Sequence, residues 1–235
     1  MCTLLFRFRP SDTYPLTILT NRDEAYARLS EGWAWRMNER PYFAPRDLEA
    51  GGTWIGLNGN GVVAALTNIF PGRRDTGLCT RGALVVDMMA LDSAVKASTR
   101  LQRLLTARRY NNFNLLVSDR ARAVLFTWQG KELTQRALAP GVYEVDNTPF
   151  DGTAQLSGAE TNREWLERHA DRLREHPKVC RHSGFYGTRC SHKLLVHGSN
   201  PVGSSQIWHL EGHPCRGSYD LVVIPELKYD EQPQE

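Results

Sequence analysis

No stretch of this 235-residue chain stays apolar for the roughly 20 residues that a bilayer-spanning helix needs. The longest candidate, residues 61–70, has strand length and is broken by Thr67 and Asn68. An apolar leader is missing as well. Arg7 and Arg9 fall where the hydrophobic segment of a signal peptide would run, so no secretory signal is expected. Cysteine is scarce and odd in number. The five residues Cys2, Cys79, Cys180, Cys190 and Cys215 are spaced too irregularly for a disulfide framework, which points to free thiols in a reducing compartment, the cytoplasm. Charge of one sign is also lacking: 29 Lys and Arg face 26 Asp and Glu, a net charge of +3. The arginines of residues 161–175 are interleaved with Glu164, Glu167, Asp171 and Glu175, as on a solvated helix face. The basic, aromatic-bearing surface that nucleic-acid binding requires is therefore excluded.

What is present is the composition of an ordinary globular domain, with 41% hydrophobic and 23% charged residues. The length suits one domain over residues 1–225, followed by a polar tail at 226–235. Strands are expected at 3–8 and 16–21, joined by a turn at Pro10-Ser11-Asp12, and again at 53–57 and 62–68 around Asn58-Gly59-Asn60-Gly61. Residues 25–50, with several aromatics and two prolines, read as a long irregular loop of the kind that carries function. Helices are expected at 81–91, 93–108 and 160–175, and further strands at 113–118, 123–128, 132–138, 142–145, 192–196, 206–210 and 219–224. Two successive helices between sets of hairpins imply antiparallel sheets with helices on their outer faces, an α+β layered architecture.

Cys2 carries the first chemical signal. Removal of an initiator Met before a small residue leaves Cys2 with a free α-amine, whose ordinary pKa of about 7.7–8.0 suits a base working beside a thiol. The alternative is a second-position cysteine without consequence. Asn21-Arg22-Asp23-Glu24 is the second signal, because four polar residues closing an apolar strand are costly to bury. If the first two strands pair as a hairpin, residue 2 lies across from residues 20–23. A carboxylate there can hold the new ammonium, and an arginine can lower the thiol pKa. A charged hairpin exit is the alternative. All seven histidines fall in the last third, near Cys180, Cys190 and Cys215. The tightest group, His209 to Cys215, lacks the paired spacing of a structural zinc site, so surface histidines are expected and no metal is assigned.

Together with Met1-Cys2-Thr3-Leu4-Leu5-Phe6, Gly51-Gly52-Thr53-Trp54-Ile55-Gly56, Ala64-Ala65-Leu66-Thr67-Asn68, Arg81-Gly82 followed by Leu84-Val85, Asn112-Phe113-Asn114-Leu115-Leu116 and Tyr186-Gly187-Thr188-Arg189, this pattern resembles the NRDE family over nearly the whole chain. The resemblance implies an N-terminal nucleophile hydrolase fold, a four-layer αββα sandwich of two antiparallel sheets. It is similar in pattern to choloylglycine hydrolases and penicillin V acylases. Carried over residue by residue, the resemblance makes Cys2 the nucleophile, Arg22 and Asp23 its partners, Asn68 and Asn147 the oxyanion donors, and Arg189 the late arginine. Arg22 and Asp23 are adjacent here, whereas those hydrolases separate the pair by two residues, and Asp146 stands where a small or hydroxyl residue is usual. Asn68 capping a strand, Asn147 opening a turn before Pro149 and Arg189 pairing with surface carboxylates are the structural alternatives.

Two functions follow from the resemblance. One is an N-terminal-cysteine amidohydrolase or acyltransferase for a small-molecule, non-peptide amide or thioester, requiring no cofactor. The other is a non-catalytic protein that binds and carries an apolar ligand, haem or a lipid or acyl-CoA, in a pocket walled by Trp33, Trp35, Tyr42 and Phe43.

Overall fold

The computed structural model describes residues 2–70, 75–153 and 160–227. The expected removal of Met1 and the tail from residue 228 onward lie outside the described residues. In chain order the elements are β1 (Thr3–Phe8), β2 (Leu16–Ala25), β3 (Ser30–Met37), β4 (Pro41–Asp47), β5 (Ile55–Asn58), β6 (Val63–Asn68), α1 (Gly82–Met88) and α2 (Ala97–Ala107). They continue with β7 (Phe113–Ser118), β8 (Ala123–Trp128), β9 (Leu133–Ala137), β10 (Gly141–Val145), α3 (Asn162–Ala170), β11 (Tyr186–Val196), β12 (Gln206–Glu211) and β13 (Asp220–Val222). One antiparallel sheet has six strands in the order β10-β1-β2-β11-β12-β13, and the other has seven, running sequentially from β3 to β9.

Side-chain alternation assigns each face. Leu4, Phe6, Phe8, Leu16 and Ile18 of the first sheet meet Phe43, Ile55, Leu57, Val63, Ala65 and Leu116 of the second in one buried cluster between the sheets. On the far side of the second sheet, Ala64, Leu66, Leu115 and Val117 pack beneath Leu84, Val85 and Met88 of α1 and Leu101 of α2. On the far side of the first, Leu5 and Leu19 pack beneath Trp165 and Leu166 of α3. The order is helix, sheet, sheet, helix, the expected α+β sandwich. Burial of both faces is why residues 63–66 of β6 and 115–117 of β7 are apolar without alternation. A capping box opens α3: Thr161 Oγ1 accepts from the Glu164 amide at 3.2 Å, and Glu164 Oε2 accepts from the Thr161 amide at 2.7 Å. Among the described residues no helix is long and apolar enough to cross a membrane.

Three expectations are corrected. Residues 25–50 are not an irregular loop, since they contain the β3–β4 hairpin. As an edge strand β3 exposes Glu31, Gly32, Ala34 and Met37, which hides its period, and Pro45 falls opposite the register shift between Glu31 and Ala34. The Asn21–Glu24 segment does not leave the sheet, because β2 continues through it to Ala25, paired with β11. Correspondingly β11 begins at Tyr186, well before residue 192, with a register shift between Thr188 and Cys190.

Candidate active site

The β1–β2 pairing sets the site. Thr3 faces Asn21, so Cys2 lies one step beyond, level with Arg22 and Asp23, and its Sγ approaches the Asp23 carbonyl oxygen at 3.8 Å. Asn21 is structural: its buried Nδ2 donates to the carbonyls of Leu173 at 2.9 Å and Val179 at 3.3 Å, locking the outer layer to β2. Asp23, on the same face, is 3% exposed. Its Oδ1 accepts the Thr188 hydroxyl at 2.7 Å, its Oδ2 lies 4.0 Å from Arg181 Nε, and its carbonyl accepts the Tyr186 hydroxyl at 3.1 Å.

Burial pushes the Asp23 carboxyl above its ordinary range, against the pull of the Thr188 hydroxyl and Arg181. Burial, and then the Asp23 charge, push the Cys2 thiol up as well, while the Asp23 carbonyl and Arg22 pull it down. The pull of Arg22 is the weakest of these, and burial outweighs it.

Arg22 is 5% exposed and lies between the sheets. Its guanidinium carbon stands 4.3 Å from the centre of the Trp54 ring, and Nη2 is 3.6 Å from Asp47 Oδ2. Asp47 Oδ2 already accepts from Arg28 Nε at 2.8 Å, and neither Nη of Arg22 has a hydrogen-bond partner among the described residues. Trp54 is itself held by its indole N–H, which reaches His192 Nε2 at 3.2 Å, while Trp33 reaches His192 Nδ1 at 3.0 Å. His192 is fully buried, and burial together with His209 and Arg22 holds its pKa well below the ordinary histidine value. The expectation of surface histidines fails at this residue.

Asn68 ends β6, and its carbonyl accepts from Asn147 Nδ2. The turn bearing Asn147 is pinned to the second sheet by Thr67 Oγ1 donating to the Asp146 carbonyl at 2.6 Å and Asn114 Nδ2 donating to the Thr148 carbonyl at 2.8 Å. A cavity of about 250 Å³ is lined by Cys2, Arg22, Asp23, Arg28, Trp54 and Asn68 among others. A second, of about 490 Å³, is lined by Cys2, Asn68, Ile69, Phe70, Asn147 and Tyr186 among others. Cys2, Asp23, Asn68 and Arg81 border both, so the two form a single cleft with a charged arm and an apolar arm, and the thiol at their junction.

Five of the six residues singled out from sequence thus meet: Cys2, Arg22, Asp23, Asn68 and Asn147. Arg189 does not join them. At the irregularity in β11 its side chain donates to the Tyr26 carbonyl and approaches Glu211 at 3.4 Å, outside the lining of either cavity. The arginine in the cleft that the sequence reading quoted only as part of a family block, without assigning it to the site, is Arg81, held by Nη1 donating to the Asn112 carbonyl at 2.9 Å. Its place beside Gly82 was the available signal: a Cβ at Gly52 would lie 2.9 Å from the Ala83 amide nitrogen, so only glycine lets this start of α1 close against the site. A separate group, Cys180, His182 and Cys215, brings donor atoms within 4.8 Å of one another, where no metal ligands were expected.

The fold resembles those of solved hydrolases. A cysteine-to-alanine variant of the conjugated bile acid hydrolase from Clostridium perfringens superposes with a TM-score of 0.58 over 99% of this chain and 95% of that one, at 10% identity. The Caenorhabditis elegans ortholog of N-acylethanolamine-hydrolyzing acid amidase superposes with a TM-score of 0.50 over 83% of this chain and 92% of that one, also at 10% identity. At such identity the likeness is one of fold alone. Closer in sequence are the human Transport and Golgi organization protein 2 homolog, 31% identical over 159 residues, and its mouse counterpart, 31% identical over 163. Each match covers 63% of this chain and 57% of the relative, so the chain spans little more than half the length of the curated relatives it matches. A family profile matches residues 1–178, and the chain belongs to the Transport and Golgi organisation 2 family.

Proposed function

We propose that the protein is an N-terminal-cysteine hydrolase or acyltransferase for a small N-acyl amide or thioester with an apolar acyl chain. The observation that carries this reading is the position of the Cys2 thiol, at the junction of a charged and an apolar arm, against the buried Asp23 and in the same cleft as Asn68. The acyl chain lies along Ile69 and Phe70, and the polar part of the substrate meets the unsatisfied Nη atoms of Arg22.

Catalysis requires that Met1 be removed. The α-amine of Cys2 then takes the thiol proton, and Sγ attacks the carbonyl carbon. The developing oxyanion accepts from the side-chain amide of Asn68, and the departing amine or thiol takes back the proton from the α-ammonium. Water, or a second nucleophile for acyl transfer, then attacks the thioester carbonyl and restores Sγ–H. Asp23 holds the α-ammonium by charge and hydrogen bonding.

The test combines intact mass of the purified protein with a turnover screen of N-acyl amides and acyl thioesters of increasing chain length. The expected result is loss of Met1 and hydrolysis that rises with chain length and is abolished in Cys2→Ala. Retention of Met1 throughout the sample sinks the hydrolase.

The second reading, non-catalytic binding of a lipid, acyl-CoA or haem, is favoured by the same raised thiol and by the apolar arm. It requires saturable binding of acyl-CoA or haem that Cys2→Ala leaves intact, with alkylation of Cys2 no faster than that of the other cysteines.

A further inference from the structure

Outside the cleft, the residues just before β11 and just after β12 carry a mirrored pattern, Cys180-Arg181-His182 and His213-Pro214-Cys215. The fold brings the two triplets together. His182 Nε2 lies 3.4 Å from Cys180 Sγ and 3.1 Å from Cys215 Sγ. The rings of His182 and His213 stack with centroids 3.7 Å apart, and His213 Nδ1 is buried without a hydrogen-bond partner among the described residues. A tetrahedral zinc ion with bonds of about 2.3 Å to sulfur and about 2.0 Å to nitrogen sets its donors roughly 3.5 Å apart, close to the spacing already present.

We propose that Cys180, His182 and Cys215 bind a zinc ion through three protein ligands, with His213, whose ring stacks on His182 but whose nitrogens fall outside this donor group, able to supply a fourth only after its ring turns. Two thiolates and one imidazole are a donor set suited to zinc, which takes a fourth donor to complete its tetrahedron. Binding displaces one proton from each thiol, so the ion becomes the positive charge between two otherwise repelling sulfurs.

The consequence is mechanical. The segment 180–182 bridges to Gly187, and its Arg181 faces Asp23 while the Arg181 amide donates to Thr188 Oγ1 at 2.9 Å. Clipping this segment to residues 213–215 fixes the outer wall behind Asp23. The site lies beyond residues 1–178, the stretch that matches the family.

The test uses untagged full-length protein purified under reducing conditions. One zinc per chain is expected by mass spectrometry of the metal. Replacement by Co²⁺ is expected to give a thiolate charge-transfer band with the intense visible absorption of a tetrahedral site. Cys215→Ser and His182→Gln, judged folded by far-UV circular dichroism, are expected to lose the band and bind zinc more than about 100-fold more weakly, beyond the effect of outer-shell changes. Should Cys215→Ser fail to fold, His182→Gln alone decides. Absence of Co²⁺ binding by the reduced wild type, bands that persist in the folded variants, or a native Cys180–Cys215 disulfide in non-reduced peptide maps each overturn the site.

Discussion

The cleft at Cys2 and the cluster at Cys180 are two sulfur-bearing corners joined by one residue. Thr188 donates its hydroxyl to Asp23 Oδ1 at 2.7 Å and accepts the Arg181 amide at 2.9 Å. At Cys2 the thiol is half-buried among charges of both signs and opens on a cavity. At Cys180 the thiol is buried and its neighbours are soft donors, imidazole and a second thiol. The first corner takes its lining largely from residues 1–178, and the second lies beyond them. Yet Tyr186 and Thr188, which hold Asp23, also lie beyond the matched stretch. The chemistry and its support are thus drawn from different parts of the sequence.

The sharpest way to break this division is Asp23→Asn. The Thr188 hydroxyl retains an oxygen acceptor, while a buried charge with a raised pKa disappears. Because the folded state holds the Asp23 proton more tightly than the unfolded chain does, ionisation near neutrality costs stability, and acidification through the folded pKa returns it. Asp23→Asn is therefore expected to match or exceed the wild-type melting temperature at pH 7. Hydrolysis, where measured, falls by about 10-fold or more, because the α-ammonium formed during attack loses the counter-charge that holds it. A matching fall in stability and activity makes Asp23 merely structural.

Gly187→Ala probes the joint between the corners. A Cβ at Gly187 would press on the Tyr26 hydroxyl and the Arg181 carbonyl, and only the former belongs to a side chain that can swing away. Overpacking of this kind costs about 1–3 kcal/mol. The variant is expected to lose that much in denaturant unfolding and to weaken both activity and zinc retention. A change in one corner alone would show that Thr188 does not couple them.

His192→Gln has a smaller effect, seen in pH dependence. The folded-state pKa of His192 is depressed, so its contribution to stability is present above its unfolded pKa of about 6.5 and is lost as pH falls below that value. Wild type is expected to lose stability between pH 7 and 5 more steeply than His192→Gln, by at most about 1.4 kcal/mol per pH unit. Parallel slopes would mean that His192 does not titrate on unfolding.

What the sequence made legible follows from how each residue is brought into place. Cys2, Arg22 and Asp23 meet through a single hairpin, the kind of pairing that adjacent strand patterns disclose. Asn68 and Asn147 needed the family resemblance, since their approach depends on a turn tied across the second sheet. Asp47, Trp54, His192 and Arg81 were not named as site residues. They arrive by sheet-on-sheet packing and by the close contact of Gly52 with the start of α1, and no local period reports either. Both sheets and all three helices were anticipated, apart from the β3–β4 hairpin, whose exposed edge strand lacks alternation. Cys180 and Cys215 were weighed with the histidines and set aside for want of paired spacing, because 34 residues lie between positions that only the finished β11–β12 hairpin brings together.

Arg189 marks the opposite error, a residue named from its motif whose side chain points elsewhere, and it carries the smallest expected effect. The family pattern assigns it to the site, whereas the irregularity in β11 directs it to the Tyr26 carbonyl and toward Glu211, which is 58% exposed. An ion pair to so exposed a partner contributes about 0–1 kcal/mol, and the loss of the carbonyl contact adds a similar amount. Arg189→Ala is therefore expected to lower the unfolding free energy by about 1 kcal/mol and to leave kcat/KM within about 2-fold of wild type, whereas Arg81→Ala, which empties part of the cleft lining, costs activity first. Should Arg189→Ala abolish turnover at unchanged stability, the arginine must swing into the cleft when substrate binds, and the motif would have reported a conformation other than this one.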